Sequence, residues 1–214
     1  MSEEFIKEVD EDLKEEKRVK LWKKLLPYVL GFSFGVILLT SGFVFWENYT
    51  KNTNQSLGDD FTAAVGLASE DDVDAALLAL DRIVDKGSDG YATIAKMKKA
   101  SILIQKGDLE KGLAIYLDLE RNAVDQSFRD IATILYVLNS MDKVDPLILL
   151  EKVKPLEASK IWKSSALELK AFIYLKTKKK EQAKETFQSI LDQKNSPSSL
   201  SSRARNMIEY LKEE

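Results

Sequence analysis

The chain has no cysteine and no histidine among its 214 residues. Without cysteine it can form no disulfide, no thiolate nucleophile and no lipidated cysteine anchor. Without histidine the commonest general base and the commonest metal ligand are both missing. Glycine is scarce, nine in all, and none of them forms a Gly-rich phosphate-binding loop. Neither sign of charge dominates: 32 Lys and Arg against 35 Asp and Glu leave a net of −3. A near-neutral chain lacks the basic face that phosphate neutralisation needs, so nucleic acid is not an expected partner. No cofactor is implied, and an enzyme is not expected.

The few patterns that could carry chemistry have simpler structural explanations. Ser140-Met-Asp-Lys143 spells S-x-x-K, but the companion motifs of serine–lysine enzymes are absent. Residues 85–90 resemble the start of a calcium loop, yet Lys96 stands near the place of the glutamate such a loop requires. They read instead as a helix end at Lys86-Gly87 followed by a glycine turn. Asp71, Asp72 and Asp74 read as a helix N-cap and first turn, where carboxylates meet the positive end of the helix dipole.

What the chain does have is one uncharged run, residues 25–46 (LLPYVLGFSFGVILLTSGFVFW). As a helix it reaches about 30 Å, the thickness of a hydrocarbon core. Trp22, Tyr28, Trp46 and Tyr49 stand near its ends, where amphipathic rings favour the headgroup layer. A cleaved signal has an apolar core of about 7–15 residues and a small-residue cleavage site. This run is longer and exits through Phe43, Phe45 and Trp46, so a retained single span is expected. Lys14, Lys17, Arg18, Lys20, Lys23 and Lys24 precede it, whereas residues 47–60 contain only Lys51. By the positive-inside rule the N-terminus stays in the cytoplasm and the remainder is exported. Within the span Gly31 and Gly35 form a G-x-x-x-G, a spacing that permits close helix contact.

Beyond the run, apolar residues recur at intervals of three and four from 57 to 211, and no stretch alternates for long with period two. The expectation is all-α, with breaks at 87–90, 106–108, 142–146, 176–180 and 195–197. A shift of 71 lays Ala95, Ala100, Ile102, Gly112, Tyr116 and Leu119 on Ala166, Ala171, Ile173, Ala183, Phe187 and Ile190. Stepping back 36 from Gly112 reaches Ala76, with Leu80 and Ile83 following at the same spacing. A unit of about 35 residues is close to that of tetratricopeptide repeats, and the small residues sit where its two helices would approach closely. The unit near residues 129–156 is degenerate, and residues 198–214 read as a polar-backed capping helix. The expected organisation is a charged segment (1–24), a transmembrane helix (25–46), a stalk (47–56), a tetratricopeptide-like solenoid (57–197) and the cap (198–214).

With the charged opening F-I-K-E-V-D-E-D-L at residues 5–13, the span and the degenerate repeats, the whole chain resembles the tetratricopeptide-repeat-like family of ancillary SecYEG translocon subunits, the YfgM type. The resemblance implies a bacterial inner-membrane protein beside the SecYEG translocon. Its exported domain would be periplasmic and would help pass client polypeptides to a membrane-anchored chaperone of the peptidyl-prolyl isomerase type. A structural scaffold for another envelope assembly, such as a cytochrome-maturation or division complex, is the alternative. By analogy with the concave face of such domains, Met97, Ser101, Ile104 and Gln105 in one unit and Glu168, Phe172, Leu175 and Lys176 in another are the candidate partner-binding residues. In the opening segment Phe5, Ile6, Val9, Leu13 and Leu21 can form an apolar stripe that lies on the lipid bilayer beside its lysines; the other reading is a solvated tail.

Overall fold

The computed structural model describes residues 2–213, and the side chains of all of these except 2–16, 29, 30 and 33. The expected stripe Phe5, Ile6, Val9 and Leu13 therefore lies outside the described side chains. The described residues contain helices and no strand: α1 (Ser2–Ser69), α2 (Val73–Lys86), α3 (Asp89–Gln105), α4 (Leu109–Asn122), α5 (Gln126–Ser140), α6 (Pro146–Val153), α7 (Lys163–Lys176), α8 (Lys180–Leu191) and α9 (Ser198–Glu213). They divide into two units, Met1–Ser56 and Leu57–Glu214, the end of α1 belonging to the second.

In the first unit the side chains of the apolar run find no core. Phe32 is 75 % exposed, Leu39 77 % and Phe45 75 %, and every described residue of the run is exposed except Gly35, which is half-buried. Scored over the described residues, no helix is long and apolar enough to cross a membrane; Val29, Leu30 and Ser33, inside the run, are not among the described side chains. The expected stalk, 47–56, is helical.

In the second unit each helix packs chiefly on its sequence neighbours, α2 on α3, α3 on α4, α4 on α5, α7 on α8 and α8 on α9. Three apolar cores result. The first joins Leu57 and Ala64 to Ala76, Leu80, Ile83, Ala95 and Ile102. The second runs from Ala100 and Tyr116 through Tyr136, Val137 and Leu149 to Ala166 and Ile173. The third gathers Leu167, Ala171, Phe187, Ile190, Leu200 and Ile208. Helices α3 and α7 each give residues to two cores, and for this reason need alanines: Ala95, Ala100, Ala166 and Ala171 are fully buried.

The repeat recurs in backbone detail as well as in burial. Asp71, Gly107 and Lys178, spaced by 36 and 71 residues, all have positive φ (66°, 98° and 60°). After each, the amide of the next residue reaches back to the last turn of the preceding helix: Asp72 N–H to the Leu67 carbonyl (3.0 Å), Asp108 to Leu103 (2.8 Å) and Lys179 to Tyr174 (2.9 Å). These are three copies of one Schellman-type helix stop. Only Gly107 takes the left-handed conformation without strain; the aspartate and lysine hold it at a cost of about 1 kcal/mol each.

The degenerate unit is the helix pair α5 and α6. Pro146 opens α6, and Pro155 removes an amide and turns the chain into a short 3-10 segment, Lys154–Ala158, so the second helix is only eight residues long. A break at 123–125 also lacks any glycine or proline signal; it is set by Asp125, whose carboxylate caps the Phe128 amide at 3.0 Å. Gly90, expected in a turn, lies inside α3, because the turn is complete once Gly87 has ended α2 and Ser88 stands before Asp89.

Gly112 marks the tightest helix crossing. A Cβ there would lie 2.4 Å from Ile104 Cγ1 and 2.8 Å from the Ala100 carbonyl oxygen. The side chain can move, but the backbone oxygen cannot. Gly112→Ala is therefore expected to destabilise the domain by about 1–3 kcal/mol, outweighing the roughly 1 kcal/mol that alanine offers a helix. Urea titration followed by circular dichroism measures the sign; a stabilised variant would mean the crossing is looser than the geometry requires.

Candidate functional site

The S-x-x-K residues do not form a catalytic pair. Ser140 is fully buried with no hydrogen-bond partner for its Oγ, whereas Lys143 is exposed on the following turn. The residues after Asp85 are the end of α2 and the start of α3. Asp72 caps α2 by accepting from the Ala75 amide at 3.2 Å. Among the described residues no group of acidic side chains could hold a metal ion.

The eight candidate partner-binding residues fall on α3 and α7 as expected, but most of them also serve packing. Met97 and Ile104 lean on the second core, and Ile104 is the side chain that closes on Gly112. Phe172 and Leu175 lean on the third core, where Phe172 meets Phe187 edge to face, ring centroids 5.5 Å apart. Glu168 receives a two-pronged hydrogen bond from Arg203 of α9, 2.7 Å from Nε and 2.8 Å from the terminal nitrogen. That bond holds the Arg203 guanidinium above its usual pKa. Lys176 is exposed and pairs with Asp142 on the turn between α5 and α6. Ser101 is half-buried, and Gln105 is exposed.

Gln105 does open onto space. It lines a cavity of about 440 Å³ with Ala68, Asp72, Asp74, Ile102 and Lys106. Lys106 bonds Asp74 across it at 2.7 Å, and that hydrogen bond lowers the Asp74 carboxyl below its usual range and raises the Lys106 ammonium. Shallow cavities of this kind recur where turns meet; one of about 240 Å³ holds the Lys96–Asp118 pair, another of about 560 Å³ lies between residues 159–164 and 193–197. The second is rich in lysine, drawn from two turns that lie about 30 residues apart in the sequence. On α1, an added Cβ at Gly31 or Gly35 would meet no atom within 4 Å, so that surface is open.

The second unit is thus a series of paired helices with repeating stops and shallow cavities at its turns. A family model described as Tetratricopeptide repeat-like domain matches residues 20–210. No curated protein and no solved structure matches the chain.

Proposed function

Because the chain belongs to the tetratricopeptide repeat-like domain family, we propose that it is a protein-interaction module tethered to a bacterial inner membrane, with residues after the apolar run in the periplasm. The observation that carries the tether is the uncharged run 25–46, helical and with its described large side chains outward on every face. Contiguous apolar surface of that extent on a soluble protein invites aggregation; lipid is the solvent that suits it. The lysines and arginine before the run hold the N-terminus in the cytoplasm.

The resemblance of the opening segment and architecture to ancillary translocon subunits supports a place beside SecYEG. There the domain would help pass emerging chains to a membrane-anchored chaperone. Glu168 and Lys176 already have partners within the domain, so the binding surface is drawn around Gln105 and the cavity it lines, with Ser101 one turn earlier on α3.

Protease added to spheroplasts is expected to digest the domain after residue 56 and leave the segment before the run intact. A photocrosslinker at Gln105 is expected to trap a translocon component, a chaperone or an exported chain. A domain shielded inside the cell would overturn the orientation, and crosslinks only to another envelope assembly would overturn the translocon placement.

A further inference from the structure

Two cavities stand in equivalent places of the repeat but differ in charge. The smaller is lined by Asp89, Ala92, Thr93, Asn122 and Ala123, with Lys96 and Asp118 beside them. The larger is lined by Lys160, Lys163, Ser164, Gln193 and Lys194. Adding 71 carries each of the first five residues onto one of the second set: Thr93 and Asn122 keep polar counterparts, while Asp89, Ala92 and Ala123 give way to three lysines. The repeat geometry thus needs a cavity at this turn but does not need lysine in it.

The two sites also differ in how charge is balanced. In the smaller, Lys96 bonds Asp118 at 3.1 Å, and Asp118 accepts from Asn122 at 2.8 Å. The Asn122 bond first and the Lys96 bond second hold that carboxyl below the usual range. In the larger no carboxylate lines the cavity. Among the described residues Lys160, Lys163 and Lys194 enter no ion pair. The acids flanking them in sequence are engaged elsewhere: Glu157 with Lys170 at 2.9 Å, Glu168 with Arg203 at 2.7 Å, and Asp192 with the Gln188 amide at 3.0 Å. The first turn of α7, at the cavity wall, has no side-chain cap. Ile161, 70 % exposed, lines the cavity with the lysines, as does Pro197.

We propose that the cleft between residues 159–164 and 193–197 binds an acidic polypeptide segment, its carboxylates on Lys160, Lys163 and Lys194 and an apolar side chain against Ile161. Lysines on flexible stems in an open cleft are point charges, without the rigid fork with which arginine grips a single phosphate. Spread around an exposed isoleucine, they fit an extended chain of alternating acidic and apolar residues. The inference rests on the domain being a protein-interaction module and is independent of its translocon placement.

The test is fluorescence anisotropy of a short labelled peptide of alternating glutamate and leucine, titrated with the full chain in neutral detergent micelles. Binding is expected, weakening as salt is raised. The triple variant K160E/K163E/K194E is expected to bind about tenfold or more weakly, with an unchanged helical spectrum. The same charge change placed elsewhere, K178E/K179E/K180E, is expected to bind as the wild type does. Equal losses in both variants would reduce the effect to net charge and overturn the site, as would no binding by the wild type. If inorganic phosphate or anionic vesicles displaced the peptide at matched charge, the cleft would be a general anion site and the peptide assignment would fall. Should the triple variant lose the peptide yet keep every crosslink from Gln105, the module reading stands and this cleft is not where those partners dock.

Discussion

Phe187→Ala is expected to lower the stability of the helical-repeat domain by about 3–5 kcal/mol. The ring is fully buried at the centre of the third core, edge to face with Phe172 and packed among Ala171, Ile190 and Leu200. Its removal leaves a cavity that the neighbouring alanines are too small to fill. A loss of that size approaches the whole stability of an ordinary domain, about 5–15 kcal/mol. Because the cores are separate, the damage should be local: amide exchange should accelerate in α8 and α9 and change little in α2 and the first half of α3. Equal acceleration throughout would mean that the domain unfolds as one block and that its division into cores has no energetic meaning.

On the proposed membrane tether, Ile37→Arg combined with Leu38→Arg is expected to release the chain from the membrane. Both residues lie near the middle of the apolar run and are more than half exposed (60 % and 57 %). Each arginine at the centre of a span costs about 2.5–3.5 kcal/mol on insertion scales. Two together should shift the protein from carbonate-resistant pellets to the soluble fraction or abolish its export. A wild-type chain that itself came away in carbonate would remove the tether and, with it, the periplasmic placement.

Much of the fold is legible in the sequence because a repeat states its rules more than once. Ala100 and Ala171, Gly112 and Ala183, Tyr116 and Phe187 are matched pairs, and each lands buried at the same kind of helix crossing. The candidate binding residues were harder to judge, for a physical reason. Helical periodicity tells which side of α7 a residue occupies but not whether a later helix covers that side. Glu168 is the example, since the arginine that holds it comes from α9, 35 residues further along. The same limit applies to Ile104, which reads as a groove residue until Gly112 removes the space beneath it. The lysine cleft is not legible in the sequence because its members come from two turns, neither of which looks unusual alone.

The three repeated helix stops have a consequence for how the domain comes into being. Each closes within six residues, and most packing contacts join helices adjacent in sequence. Little of the native structure has to wait for distant chain, so the entropy of closing long loops is hardly incurred and folding should be rapid. A domain that emerges from a narrow passage with α2 first could set one helical hairpin after another as each appears. The last to settle would be α7, α8 and α9, whose core requires the final sixteen-residue helix. Until that helix arrives, the apolar side of α8 is left uncovered, so truncation before Ser198 would leave a partly built and adhesive end.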